Sequence, residues 1–262
     1  MFDRRDLLIY LAIKYDGNYQ KIINAIRANE DPSIPEIEEA VSTVKSKTIT
    51  ILDVDYPDYL RKGRYPPIVL FYYGDISLIN KENFEKNIAV IGSRVPTHYG
   101  IRATEIMVAG ITPGHNIVSG LAKGIDGIAQ RTALDKGAKV IAVLGSGIDN
   151  VYPLENKKLY HDIINNGGLI ISEYPNLSEP AGHHFPIRDR IIAQISRSVL
   201  VTEAYEMSGT SITVGFAVQI GRDIFAVPYP FFVKSSFCNQ LIYEGALMVR
   251  EPNDILEVID KY

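Results

Sequence analysis

Two segments of this chain place a cation just beyond the end of an apolar run. Ile88-Ala89-Val90-Ile91 is followed by Gly92-Ser93-Arg94, and Ile117-Val118 by Ser119-Gly120 and then Lys123. Glycine lets a backbone approach a ligand closely. Free N–H groups at the start of a following helix favour negative charge. Arg94 or Lys123 can then meet an anion, and a phosphate is the natural candidate. Further along, Phe185-Pro186-Ile187-Arg188-Asp189-Arg190 sets two arginines near a helix start, where their charge opposes the helix dipole. Cations held against that preference serve a ligand or a buried partner. Arg188 and Arg190 project differently from a helix, so one can meet a phosphate while the other pairs with Glu203 or Glu173. Ser208-Gly209-Thr210-Ser211 offers hydroxyls and N–H groups at another helix start.

Other chemistries lack their residues. His183 and His184 are adjacent, and no Cys or acidic partner stands at metal-ligand spacing. The single cysteine, Cys238, has no helper histidine near it in sequence. Ser208-Gly209-Thr210-Ser211 is not a nucleophile elbow. Gly145-Ser146-Gly147-Ile148-Asp149-Asn150 begins like a dinucleotide fingerprint, but Asn150 replaces its third glycine and the acidic residue expected downstream is missing. No catalytic set, metal or cofactor is therefore expected.

The elements that must position these residues follow from periodicity. Short apolar runs at 88–91, 116–118, 139–143, 169–171, 198–202, 224–227 and 246–249 read as strands, with two more at 48–52 and 68–73. Helix-length segments fill the gaps, at 98–110, 125–136, 155–165, 186–195 and 210–220. All-apolar strands separated by helices predict an α/β fold: a doubly wound, mostly parallel sheet with its ligand at the carboxyl ends of the strands. Residues 1–46 differ. Leu7, Leu8, Leu11 and Ala12, then Ile22, Ile23 and Ile26, then Ile37, Ala40, Val41 and Val44 recur at helical spacing. A small helical N-terminal region at 1–46 and a sheet domain at 47–262 are expected.

Composition narrows the class. Of 262 residues, 46% are apolar and 22% charged, which suits a packed core. No apolar run approaches the roughly 20 residues that span a bilayer, so no membrane partner is expected. One cysteine excludes an internal disulfide and points to a reducing cytoplasm. The net charge of −4 argues against a surface coated in positive charge, but leaves room for a local basic groove.

The motifs, taken in order, resemble the DprA/Smf DNA-processing proteins. IAVIGSR (88–94), VSGLAKGIDGIAQRTAL (118–134), VIAVLGSGIDNVYPLENKKL (140–159), GLIISEYP (168–175), HFPIRDRIIAQIS (184–196), VLVTEA (199–204), SGTSIT (208–213), GRDIFAVP (221–228) and NQLIYEGALMV (239–249) carry the likeness. The resemblance implies an extended Rossmann-like fold, a homodimer and no established catalysis. It implies sequence-independent binding of single-stranded DNA, protection of incoming strands, and loading of the RecA recombinase during natural transformation. By motif, Arg94 is implied as a phosphate contact, with Gly92 and Ser93 beside it and Ser119, Gly120 and Lys123 lining the same pocket. Phe185 matches an aromatic position near the bases. Arg188 and Arg190 match a paired-arginine segment whose middle Asn is Asp189 here, and Ser208 and Gly209 complete the set. A second reading is a nucleotide-binding or nucleoside-monophosphate phosphoribohydrolase-like enzyme. That family's Gly-Gly-x-Gly-Thr-x-x-Glu segment corresponds here to Met207–Thr213, without the first glycine pair or the trailing Glu.

Overall fold

A computed structural model describes residues 3–112, 114–206, 208–230 and 237–260. Three helices come first: α1 (Arg4–Lys14), α2 (Tyr19–Arg27) and α3 (Ile34–Ser42). Asp3 and Asn18 cap the first two through side-chain oxygens, and Ser33 with Glu36 forms a capping box on the third. The strands are β1 (Lys47–Thr50), β2 (Val69–Gly74), β3 (Asn87–Ile91), β4 (Asn116–Ser119), β5 (Val140–Leu144), β6 (Leu169–Ser172), β7 (Ser198–Val201), β8 (Asp223–Ala226) and β9 (Leu247–Met248). The helices between and after them include α4 (Asp58–Arg61), α5 (Lys81–Phe84), α6 (His98–Ile111), α7 (Ile125–Asp135), α8 (Lys157–Asn165), α9 (His184–Gln194), α10 (Gly209–Gln219), α11 (Phe237–Tyr243) and α12 (Pro252–Ile259).

The nine strands among the described residues join one sheet in the order β1-β2-β6-β5-β4-β3-β7-β8-β9. From β6 to β9 every pairing is parallel, whereas β1 on β2 and β2 on β6 are antiparallel. The expected α/β, mostly parallel, doubly wound sheet is therefore what the chain forms. The antiparallel edge comes from β1 and β2, which precede the strand–helix rhythm.

The alternation of side chains across each strand feeds two cores. Ile88 and Val90 of β3 point into a cluster with Met107 and Val108 of α6, Ile125 and Ala129 of α7, and Ile163 of α8. Ala89 and Ile91 point the other way, against Ile191 and Ile192 of α9 and Val214 and Ala217 of α10. Both faces are buried, which is why the strands read as unbroken apolar runs rather than alternating ones. Leu8 and Leu11 of α1, Ile22 of α2 and Ile37 of α3 enter the first cluster beside Ile68 and Phe71.

The first three helices also brace the loop that follows β6. Gly17 (φ +68°) lies so close to Glu173 and Tyr174 that a Cβ there would approach the Glu173 carbonyl oxygen to 2.6 Å. Asn176 donates to the Thr43 hydroxyl at 3.1 Å, and Ser178 donates to Asp16. The segment from Glu173 to His183 thus leaves β6, leans on the helical region and then enters α9.

Candidate functional site

The sheet grows outward in both directions from β3: towards β4, β5 and β6 on one side and β7, β8 and β9 on the other. Loops leaving β3 and β7 at their carboxyl ends therefore diverge to opposite faces, and open α/β sheets bind ligands in the crevice this leaves. A cavity of about 590 Å³ lies there.

The β3 loop is pinned before it reaches the cavity. Ser93 donates its N–H to the Glu203 carbonyl at 2.7 Å, and its own carbonyl accepts from Ile125 N–H at 3.0 Å. A Cβ at Gly92 would sit 2.8 Å from Ile125 Cγ1, so only glycine lets β3, β7 and α7 meet this closely. The Glu203 carboxylate is buried and accepts from the Thr97 N–H at 3.0 Å, capping the start of α6. It is thereby unavailable to either arginine of α9.

Arg94 follows this anchor and is exposed. Its guanidinium carbon lies 5.3 Å from the centre of the half-buried Phe185 ring. Tyr152 meets the same ring at 5.9 Å. The rim thus pairs an exposed cation with an aromatic surface, a combination that suits a phosphate and a stacked ring. Ser208 and Gly209, at the start of the 11-residue α10, form another part of the wall.

The floor is different. Arg188 is 4% exposed; its Nη1 donates to the Val143 carbonyl at 2.8 Å, and its Nε lies 3.1 Å from Asp189 Oδ1. A Cβ at Gly120 would overlap the Arg188 guanidinium, so the absent side chain is the space the arginine fills. Asp126, in the first turn of α7, accepts the Gly120 N–H at 3.0 Å and also faces the cavity. Burial raises the Asp126 pKa, against the pull of Arg188. Asp189 is likewise pushed up to about 6 by burial; Arg188 opposes the shift and the neighbouring Asp126 charge adds to it.

The geometry sorts the residues expected from sequence. Gly92, Ser93, Arg94, Phe185, Arg188, Ser208 and Gly209 gather around one cavity. Ser119, Gly120 and Lys123 do not line it with them, which corrects that expectation of placement. The Ser119 hydroxyl is buried and donates to the Val90 carbonyl at 2.7 Å, inside the sheet. Gly120 lies behind Arg188. Lys123 points to the surface and pairs with Glu155. Arg190 also turns away: its Nη1 and Nη2 each donate to a Glu173 carboxylate oxygen at 2.6 Å, with both side chains about 5% exposed. Of the two alternatives for Arg190, pairing with Glu173 is the one realised. Asp126 escaped the sequence reading because an acid in the first turn of a helix already has a partner in the dipole. Its cavity-facing role depends on Arg188, 62 residues later.

Among the described residues no group of His, Cys, Asp and Glu could hold a metal ion. No helix there is long and apolar enough to cross a membrane.

Fold and site define a Rossmann-like α/β protein with a cation-and-aromatic cleft at the point where its strand order reverses. Residues 47–260 match the family described as DNA recombination-mediator protein A, and the chain belongs to that family. It is 43% identical over 213 residues to DNA processing protein DprA of Streptococcus pneumoniae, covering 81% of this chain and 74% of that one. It is 41% identical to Protein Smf of Synechocystis, covering 78% of this chain and about half (52%) of that relative's length. The X-ray structure of the Streptococcus pneumoniae DprA superposes with a TM-score of 0.77 at 35% identity, covering 97% of this chain and 93% of that chain. DNA processing protein A from Helicobacter pylori, whose structure was described for its single-stranded DNA binding mode, superposes with a TM-score of 0.73 at 28% identity. That match covers 84% of this chain and 98% of that chain.

Proposed function

We propose that this protein binds single-stranded DNA at the β3/β7 cleft, with affinity carried by backbone phosphate and stacking rather than by a required sequence. The observation that carries this reading is the exposed Arg94 guanidinium poised over the Phe185 ring at the mouth of the cavity. A cation beside a half-buried aromatic ring offers both a phosphate grip and a stacking surface, and duplex DNA keeps its bases out of reach of such a surface. The family, and the binding mode described for the Helicobacter pylori relative, support the same ligand. On this reading the protein protects incoming strands, helps load a RecA-type recombinase during natural transformation, works as a homodimer in the cytoplasm, and needs no cofactor. Arg94, Phe185, Arg188, Ser208 and Gly209 with the Gly92-Ser93 backbone form the contact set. Arg190 supports it from behind.

The deciding experiment compares a fluorescent single strand with a duplex of the same length by anisotropy, for wild type and Arg94→Ala. Wild type should prefer the single strand, and the variant should lose affinity. With two or three phosphates neutralised per subunit, the log–log salt slope should be about −1.4 to −2. Equal binding by the variant removes the cleft from the account. Release of free base from a nucleoside monophosphate would establish the phosphoribohydrolase alternative instead.

A further inference from the structure

The floor of the cavity carries two carboxylates, Asp126 and Asp189, against one guanidinium, Arg188. This balance opposes a phosphate at depth, since like charges repel strongly where water is scarce. The exposed cation, Arg94, stands at the rim instead. A nucleotide that meets Arg94 through its phosphate and stacks on Phe185 therefore turns its base, not its phosphate, towards the floor.

The hydrogen-bonding groups at the floor are unequal. Arg188 Nη1 is spent on the Val143 carbonyl, and an Asp126 oxygen is spent on the Gly120 N–H. Asp189 comes from the same helix as Arg188 and faces the cavity. Its Oδ1 touches Arg188 Nε at 3.1 Å, although Nε makes no aligned hydrogen bond. The groups that act on Asp189 include Arg188 on its own helix, Asp126 of α7, Arg94 of the β3 loop and Thr213 of α10, whose hydroxyl donates a hydrogen bond to the carboxylate and leaves its remaining lone pairs to a ligand. A carboxylate fork in this position is complementary to two parallel N–H donors. Guanine presents such a pair, N1–H and the 2-amino group. Adenine and cytosine set one amino group beside an unprotonated ring nitrogen that repels the second oxygen. Thymine offers one N–H between two carbonyls. The cavity volume lies within the range that holds ligands of nucleoside size.

We propose that Asp189 is a specificity-determining residue that accepts from the N1–H and 2-amino group of a guanine seated on the cavity floor, adding a base preference at one nucleotide to otherwise sequence-independent binding. This inference rests on the single-strand reading above and refines it.

The test uses the full chain and labelled thymine oligonucleotides in three forms: all thymine, with spaced guanines, and with hypoxanthine replacing those guanines. Hypoxanthine lacks only the 2-amino group. At neutral pH wild type should bind the guanine strand at least about five-fold tighter than the thymine strand, with the hypoxanthine strand between. Asp189→Asn should erase the guanine advantage and bind the thymine strand somewhat tighter, because a negative charge leaves the cavity. In wild type the advantage should also fade below about pH 6, as the carboxylate gains its proton. Tight but equal binding of all three strands by wild type overturns the inference and leaves single-strand binding standing. An undiminished guanine preference in Asp189→Asn also overturns it. Failure to bind any strand overturns the single-strand reading itself.

Discussion

The Arg188 guanidinium occupies the volume that a side chain at position 120 would need. The glycine of one strand-end loop and the arginine of α9 are thus two halves of a single packing arrangement, joined by Asp126, which accepts from the Gly120 N–H. Gly120→Ala must push the guanidinium away from Val143 and Asp126 or move the loop. Overpacking of this kind costs about 1–3 kcal/mol. Thermal unfolding should show a clear loss of stability, larger than for Gly209→Ala, where a Cβ meets nothing within 4 Å. Equal melting temperatures for the two variants would contradict the packing described.

Arg94 and Phe185 should separate binding from folding. Arg94 is exposed, so Arg94→Ala should change stability by no more than about 0.5 kcal/mol while reducing the magnitude of the salt slope by about 0.7 per lost phosphate contact. Phe185→Ala should weaken single-strand affinity by about 1–3 kcal/mol, the worth of a stacked base, with the salt slope nearly unchanged. Titrations at several salt concentrations distinguish the two. Lys123→Ala, which removes a partner of Glu155 on the surface, should cost less affinity than either.

Glu173 and Arg190 form a buried, two-pronged ion pair. Removing one member leaves the other charge without compensation, which typically costs about 3–5 kcal/mol. Glu173→Ala should lower the urea midpoint far more than Glu155→Ala, whose partner Lys123 lies in water. A small shift for Glu173→Ala would mean that Arg190 finds solvent or another acceptor.

Asp189 should make stability depend on pH in an unusual direction. Its pKa in the folded protein is pushed up to about 6, whereas an unfolded aspartate titrates near about 3.9. The native state therefore holds the proton more tightly. The stabilisation this brings is complete below about pH 4 and is lost as pH rises through about 6. Asp189→Asn removes that loss, so the variant should be more stable than wild type at pH 8, by up to about 3 kcal/mol, and equal to it near pH 4. Paired urea titrations at the two pH values measure the difference. A variant less stable than wild type at pH 8 would show that the Arg188 contact outweighs burial.

Much of this architecture was legible in the chain. Ile88-Ala89-Val90-Ile91 and its counterparts read as two-sided buried strands because their alternating residues feed both cores, and Gly92-Ser93-Arg94 lies along the cavity at the end of β3. The reading failed where a role depends on a distant partner. Arg188 and Arg190 are two residues apart on one helix, and nothing local says that one faces Val143 and the other Glu173. Lys123 resembled Arg94 in its setting, but Glu155, 32 residues later, meets it at the surface. Ser119 ends its strand like a ligand contact, yet its hydroxyl bonds across to β3. Asp189 stood out only as a departure from the family motif, and Asp126 drew no reading of its own. Only the folded chain shows that they share a floor.

The parting of β3 and β7 has a kinetic corollary. These strands remain hydrogen-bonded neighbours up to the register Ile91–Val201, so the mouth of the cleft is set by strand spacing of about 4.8 Å and by what projects from it. On the single-strand reading, Arg94 already stands exposed at that mouth, so the contact surface is present before a strand arrives. Capture should then be governed by encounter, and the lifetime of the complex by stacking at the rim.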